Sequence, residues 1–264
     1  MHLLNFIFEF GKAAWAYMQA LYYLFKYRPY KYILVLLLLT SLFLLPIGFL
    51  DLFYNFLLDY WHNVPGHHYF WLMINWLASL SGFILLIILS PVFSWMSEEV
   101  GQKLAGKKNG FECFRWLKDI WRGIRMSLRN LAWQTTGFLI LSVINIFLPD
   151  KMFLKYLLNL LFWLLNAYFY GLTILDYALE NERLSYKQSI HFSLQHTGLV
   201  LGLGAVYEIM LNLNKFSFFH FYSAELNTFW PVFSEALVAF LGVLASSIII
   251  FKNYHETLIN KKAR

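Results

Sequence analysis

Two carboxylates lie where an ionised group is energetically costly. Glu208 falls in the apolar run 198–213 and Glu235 in the run 231–251, and carboxylates inside membrane segments mark polar pathways or proton sites. If 214–230 is the turn joining the two runs, the pair flanks it at similar distances and stands at similar depth, so one charge would raise the other's pKa. The alternative is two carboxylates in the headgroup layer facing water. Arg28 and Lys31 precede the apolar run 32–50; with the positive end of the following helix they would hold a small oxyanion, or else act as snorkelling anchors. Asn75, Asn145, Asn159 and Asn166 would line a hydrated path or hydrogen-bond between helices. His62, His67 and His68 with Asp59 lack the spacing of a H-E-x-x-H site, so no metal or other cofactor is expected. With no Gly-rich phosphate loop, nucleophile elbow or triad spacing, no enzyme is expected either.

The elements that carry these residues follow from composition. A chain that is 59% hydrophobic and only 14% charged is far from the soluble average of about a quarter charged, which implies an all-α integral membrane protein. Its single cysteine, Cys113, excludes an intramolecular disulfide and a Cys-rich metal motif. The expected order is one membrane domain over 1–264. An amphipathic helix over 1–31, its stripe Phe6, Phe10, Ala14, Tyr17, Leu21 and Leu24, lies on the membrane surface. A long transmembrane hairpin spans 32–89, with runs of about 28 Å that match the hydrocarbon core. A cytoplasmic basic segment occupies 90–130, a short hairpin 131–175, a connector 176–197, a second short hairpin 198–251 and a basic tail 252–264. Within the connector, Ser185-Tyr186-Lys187-Gln188 reads as a capping box that opens a helix.

The basic segment supplies the other chemistry. Apolar residues at Phe114, Leu117, Trp121, Ile124, Leu128 and Leu131 form one helical stripe. Arg115, Lys118, Arg122, Arg125 and Arg129 follow the same rhythm one position later. Such a helix lies in the headgroup layer with its cations on lipid phosphate, or is solvated in a loop. Of the 21 Lys and Arg residues, 18 fall on alternate flanks of the apolar segments and three on the others; the positive-inside rule puts both termini and the basic helix in the cytoplasm. The net charge of +6 thus reports topology, and no nucleic-acid partner is expected.

Pro91, the acidic pair Glu98-Glu99 ahead of Val100, and the Arg-rich helix after them resemble the CysZ-like membrane proteins, the family that includes an etoposide-induced endoplasmic-reticulum protein. Asp176-Tyr177-Ala178-Leu179-Glu180-Asn181, with Arg183 and Leu184-Ser185-Tyr186, resembles that family's Asp-Tyr segment before its last hairpin. The likeness covers roughly residues 10 to 255. It implies two long transmembrane helices, two hairpins that only partly penetrate the bilayer, a homo-oligomer, and, for the bacterial branch, sulfate uptake through the inner membrane. In that branch a Pro-Gly-x-Arg-Arg stretch before the first long helix implies an oxyanion site. Here the matching residues are Tyr27, Arg28, Pro29, Tyr30 and Lys31: the cation persists at Lys31, while Arg28 stands at the glycine position and Tyr30 at that of the first arginine. The expected function is passage of a small inorganic anion, sulfate by resemblance. The competing expectation is a membrane-organising or assembly protein without a substrate, acting through its inserted hairpins and basic helix.

Overall fold

The computed structural model describes residues 2–27, 89–90, 92–104, 113–147, 152–216, 224–255 and 258. The hairpin expected over 32–89, with its histidines, Asp59 and Asn75, lies outside them, as do Arg28, Tyr30, Lys31 and Pro91. Every element among the described residues is helical: α1 (His2–Tyr27), α2 (92–104), α3 (Cys113–Phe147), α4 (Met152–Asn181), α5 (Tyr186–Gln195), α6 (Thr197–Phe216) and α7 (Ala224–Asn253).

The helix at the centre of the assembly is α7. Its segment from Ala236 to Ile250 is buried except at Leu237, which leaves no polar face and requires neighbours on all sides. Those neighbours include α1, α4 and α6, and α2 through Ser97. In an apolar solvent helices gain little by hiding Leu and Val from lipid, so close approach of small residues must hold them together. The α4–α6 crossing shows this directly: a Cβ on Gly171 would stand 1.9 Å from the Val200 carbonyl oxygen, and one on Gly204 1.6 Å from that of Ala167. The two backbones touch, and only glycine permits it. Along α1 the packed residues are likewise small, Ala13, Ala16 and Ala20, with Tyr17.

That packing shows which face of α1 meets the other helices. Tyr17 alone of the predicted stripe is fully buried, while Phe10 is exposed; the alanine face docks on α6 and α7, where Gly202 of α6 meets Ala13 and Gly242 of α7 meets the Tyr17 hydroxyl. Leu21 and Leu24 of the same stripe are partly buried and pack against the core beside the alanines. The boundary expected after residue 130 disappears. No Pro and no Gly pair interrupts the chain between Arg129 and Leu131, so the basic and apolar halves form the single 35-residue helix α3. Similarly α4 continues past the apolar run to Asn181.

Two of the helices, over Phe153–Glu180 and Ser234–Asn253, are long and apolar enough to cross a membrane. The capping box opens α5 as the sequence predicts: Ser185 Oγ accepts from the Gln188 backbone N–H, and Gln188 Oε1 accepts from the Ser185 N–H. From there the chain bends by 88° into α6, with His196 at the corner. His196 Nδ1 meets Glu9 of α1, and its ring packs between Phe192 and Tyr254, so one side chain ties three elements at the bend.

Candidate functional site

Helices α3 and α4 run antiparallel, and their shared face carries an ordered series of polar pairs. Arg122 begins the series. Its Nη2 donates to Asp176 Oδ1 at 3.2 Å and to Ser189 Oγ at 3.3 Å, its Nη1 donates to the Leu184 carbonyl, and its Nε stands 3.8 Å from Glu180 Oε1. Ser189 Oγ in turn donates to Asp176 Oδ1 at 2.7 Å. Both carboxylates are buried, and a buried charge persists only where it is paired and hydrogen-bonded. Further along the face, Asn130 Nδ2 donates to Thr173 Oγ1 at 2.9 Å, and Gln134 Nε2 donates to Asn166 Oδ1. Phe138 then stacks on Phe162 at 5.4 Å. The seam therefore grades from ionic, through amide and hydroxyl, to aromatic.

The sequence alone hides this seam because its members are not the large apolar residues. On α3 the inward positions are Gly123, Met126, Ser127, Asn130 and Gln134, while Trp121, Leu128 and Trp133 of the same helix are exposed. Of the apolar stripe, Trp121 and Leu128 thus lie on the outer face, while Leu131 is partly buried against the core. Helix α2 supports the charged end: Ser97 Oγ donates to the Tyr177 carbonyl at 3.2 Å and hydrogen-bonds Ser247 Oγ of α7 at 2.7 Å, and Phe93 meets the Tyr177 ring edge-on.

The two interior carboxylates converge on a second cluster. Glu208 of α6 is buried and Glu235 of α7 half-buried. Both act electrostatically on the same two phenols, Tyr170 of α4 and Tyr207 of α6, whose rings lie 4.8 Å apart. Tyr207 is fully buried and its Oη has no hydrogen-bond partner among the described residues. Tyr17 reaches the same region from α1, donating to the Leu203 carbonyl at 2.9 Å. Of these tyrosines only Tyr17 stood out by its spacing; Tyr170 and Tyr207 did not, since a buried Tyr and a core Phe occupy the same periodic positions.

The remaining candidates divide by position. Asn166 belongs to the seam, whereas Asn159 and Asn145 are exposed. Asp176 and Glu180, expected only as features of a family motif, form the acidic wall around Arg122, and Tyr177 between them packs on Phe93 of α2. Arg122 itself leaves the row expected on lipid headgroups, because those carboxylates draw it inward. Arg125 and Arg129 stay near the surface over the Tyr186 ring, and Arg115 and Lys118 stand on the first turns of α3. Glu98 and Glu99 are half-buried on α2, with Glu99 2.8 Å from Lys103. Among the described residues no group of three or more His, Cys, Asp or Glu is placed to hold a metal ion.

No curated protein matches this chain. The family model described as sulfate transporter CysZ/etoposide-induced protein 2.4 matches residues 16–220, a stretch that contains the whole α3–α4 seam, the acidic wall at Asp176 and Glu180, and Glu208 with its tyrosines. A match of that extent on an all-helical chain with membrane-length helices establishes that this is a membrane protein belonging to the sulfate transporter CysZ/etoposide-induced protein 2.4 family.

Proposed function

We propose that the protein passes a small inorganic anion, sulfate in the first instance, across the bacterial cytoplasmic membrane. The observation that carries this reading is the family match over residues 16–220. The geometry supports it through the middle of the α3–α4 seam, where Asn130, Thr173, Gln134 and Asn166 offer uncharged donors and acceptors between apolar helices. Gln134 Oε1 is buried without a hydrogen-bond partner among the described residues. A polar atom left in that state costs about 1–3 kcal/mol, and membrane helices retain such groups where they line a path. Neutral amides suit an anion that must leave again, because a fixed cation would hold it too tightly. The distribution of Lys and Arg orients both termini towards the cytoplasm, and assembly as a homo-oligomer follows the family expectation.

Reconstituted protein in liposomes with an imposed gradient should give labelled-sulfate flux above empty vesicles, reduced by other tetrahedral oxyanions. Replacing Asn130 and Gln134 by Leu should reduce that flux at least tenfold, a rise of about 1.4 kcal/mol in the barrier, with the protein still recovered folded. Flux no greater than in empty vesicles would sink the reading.

A further inference from the structure

Arg125 and Arg129 converge on one ring. The Arg125 guanidinium lies 5.5 Å and that of Arg129 4.9 Å from the centroid of Tyr186, the first residue of α5. The two cations stand one turn apart on α3, a spacing at which like charges repel, and neither has a carboxylate partner among the described residues. The ring contributes cation–π attraction to both, and the Asn130 Oδ1 accepts from Arg129 Nη2 at 2.6 Å, which fixes that guanidinium's plane. Neutral partners do not cancel two positive charges. Arg122, on the preceding turn, shows the contrast: two carboxylates neutralise it, and it points into the protein.

We infer that Arg125 and Arg129, braced by Tyr186, form a binding site for the phosphate of an anionic membrane lipid. A phosphate between two guanidinium forks accepts paired charge-assisted hydrogen bonds and removes their repulsion. The remainder of the same helix favours lipid over a free oxyanion. Beyond Arg129, α3 presents Trp133, Leu139, Ile140, Val143 and Phe147, all exposed, over about 27 Å. That is the length of an acyl leaflet and more, so a headgroup held at the arginines has an apolar track for its chains. Trp121 and Leu128, also exposed, place the arginines at the interfacial layer where aromatic and basic side chains meet headgroups.

The site is tested on the full chain in detergent by native mass spectrometry, scoring retention of phosphatidylglycerol, phosphatidylcholine and, separately, inorganic phosphate. Phosphatidylglycerol should remain bound in preference to phosphatidylcholine, and Arg125→Gln with Arg129→Gln should lower its retention roughly tenfold. Lys187→Gln, which removes an exposed cation next to Tyr186 in the sequence, should leave retention unchanged. If the double Gln variant does not fold, Arg125→Lys with Arg129→Lys decides instead: losing the planar forks should lower retention about threefold. Equal retention of the two lipids would overturn the inference, as would unchanged retention in the arginine variants or an equal loss in Lys187→Gln. Displacement of the lipid by millimolar inorganic phosphate would overturn it too, by making the site one for the free anion.

Discussion

Arg122 shows how far a single side chain can be misread from its neighbours in sequence. It keeps the rhythm of Arg115, Lys118, Arg125 and Arg129, yet Asp176 and Glu180, more than fifty positions away, turn it inward. Periodicity reports which face of a helix a residue occupies and cannot report what a distant segment places against that face. Replacing Arg122 by Gln leaves two buried carboxylates without their guanidinium. We expect a loss of about 3 kcal/mol, read as a lower thermal midpoint in detergent, whereas Arg125→Gln should change that midpoint little. Tyr254, beside His196, gives a prediction in pH. Burial, and secondarily the Glu9 carboxylate, push its hydroxyl from 10.0 up to about 12. A folded-state value above the unfolded one means that the neutral phenol contributes stability below pH 10.0, and that this contribution is lost as pH rises through about 12. Ultraviolet titration should therefore show one tyrosinate forming near the top of that window, absent in Tyr254→Phe.

At the scale of elements, what the sequence made legible was the signal that local chemistry controls. The capping box at Ser185 was readable because both of its hydrogen bonds lie within four residues; Ser185→Ala should cost about 1 kcal/mol, again seen in the thermal midpoint. The continuity of α3 across Arg129 was harder to read, since a change from basic to apolar composition resembles a boundary while the backbone needs a Gly or Pro to break. The α1 docking face was hidden for a different reason: alanine carries almost no periodic hydrophobic signal. Two glycine substitutions separate local from tertiary effects. Gly11 is exposed with nothing within 4 Å of an added Cβ, so Gly11→Ala should stabilise by up to about 1 kcal/mol through helix propensity alone. Gly204→Ala, with the same local gain, forces α4 and α6 apart and should destabilise by about 3 kcal/mol or more.

For the whole molecule, composition pointed to a membrane protein, with 59% hydrophobic and only 14% charged residues, and the helix-length apolar runs pointed to the all-α fold. The depth of the late hairpins was not legible, since entry and exit on the same side give the same charge count whether or not the arms cross. Helix length now bears on it. The 28 residues of Phe153–Glu180 extend to about 42 Å, more than the ~30 Å of the hydrocarbon core. With Cys113 replaced, a Cys at the exposed Lys155 should therefore react with impermeant maleimide from the non-cytoplasmic side; reaction from the cytoplasmic side alone would mean that this helix turns back within the bilayer.

The glycine contact between α4 and α6 limits how these two helices can shift against each other. Where two main chains meet with no side chain between them, no rotamer change can lengthen or shorten the gap, so α4 and α6 must travel as one stator block. The α3–α4 seam is built in the opposite way: amides and hydroxyls at Asn130, Gln134, Thr173 and Asn166 can exchange partners as one helix slides past the other. Between these helices, main-chain contact thus restricts α4 against α6, whereas the α3–α4 interface is held by side chains that have alternative partners within reach.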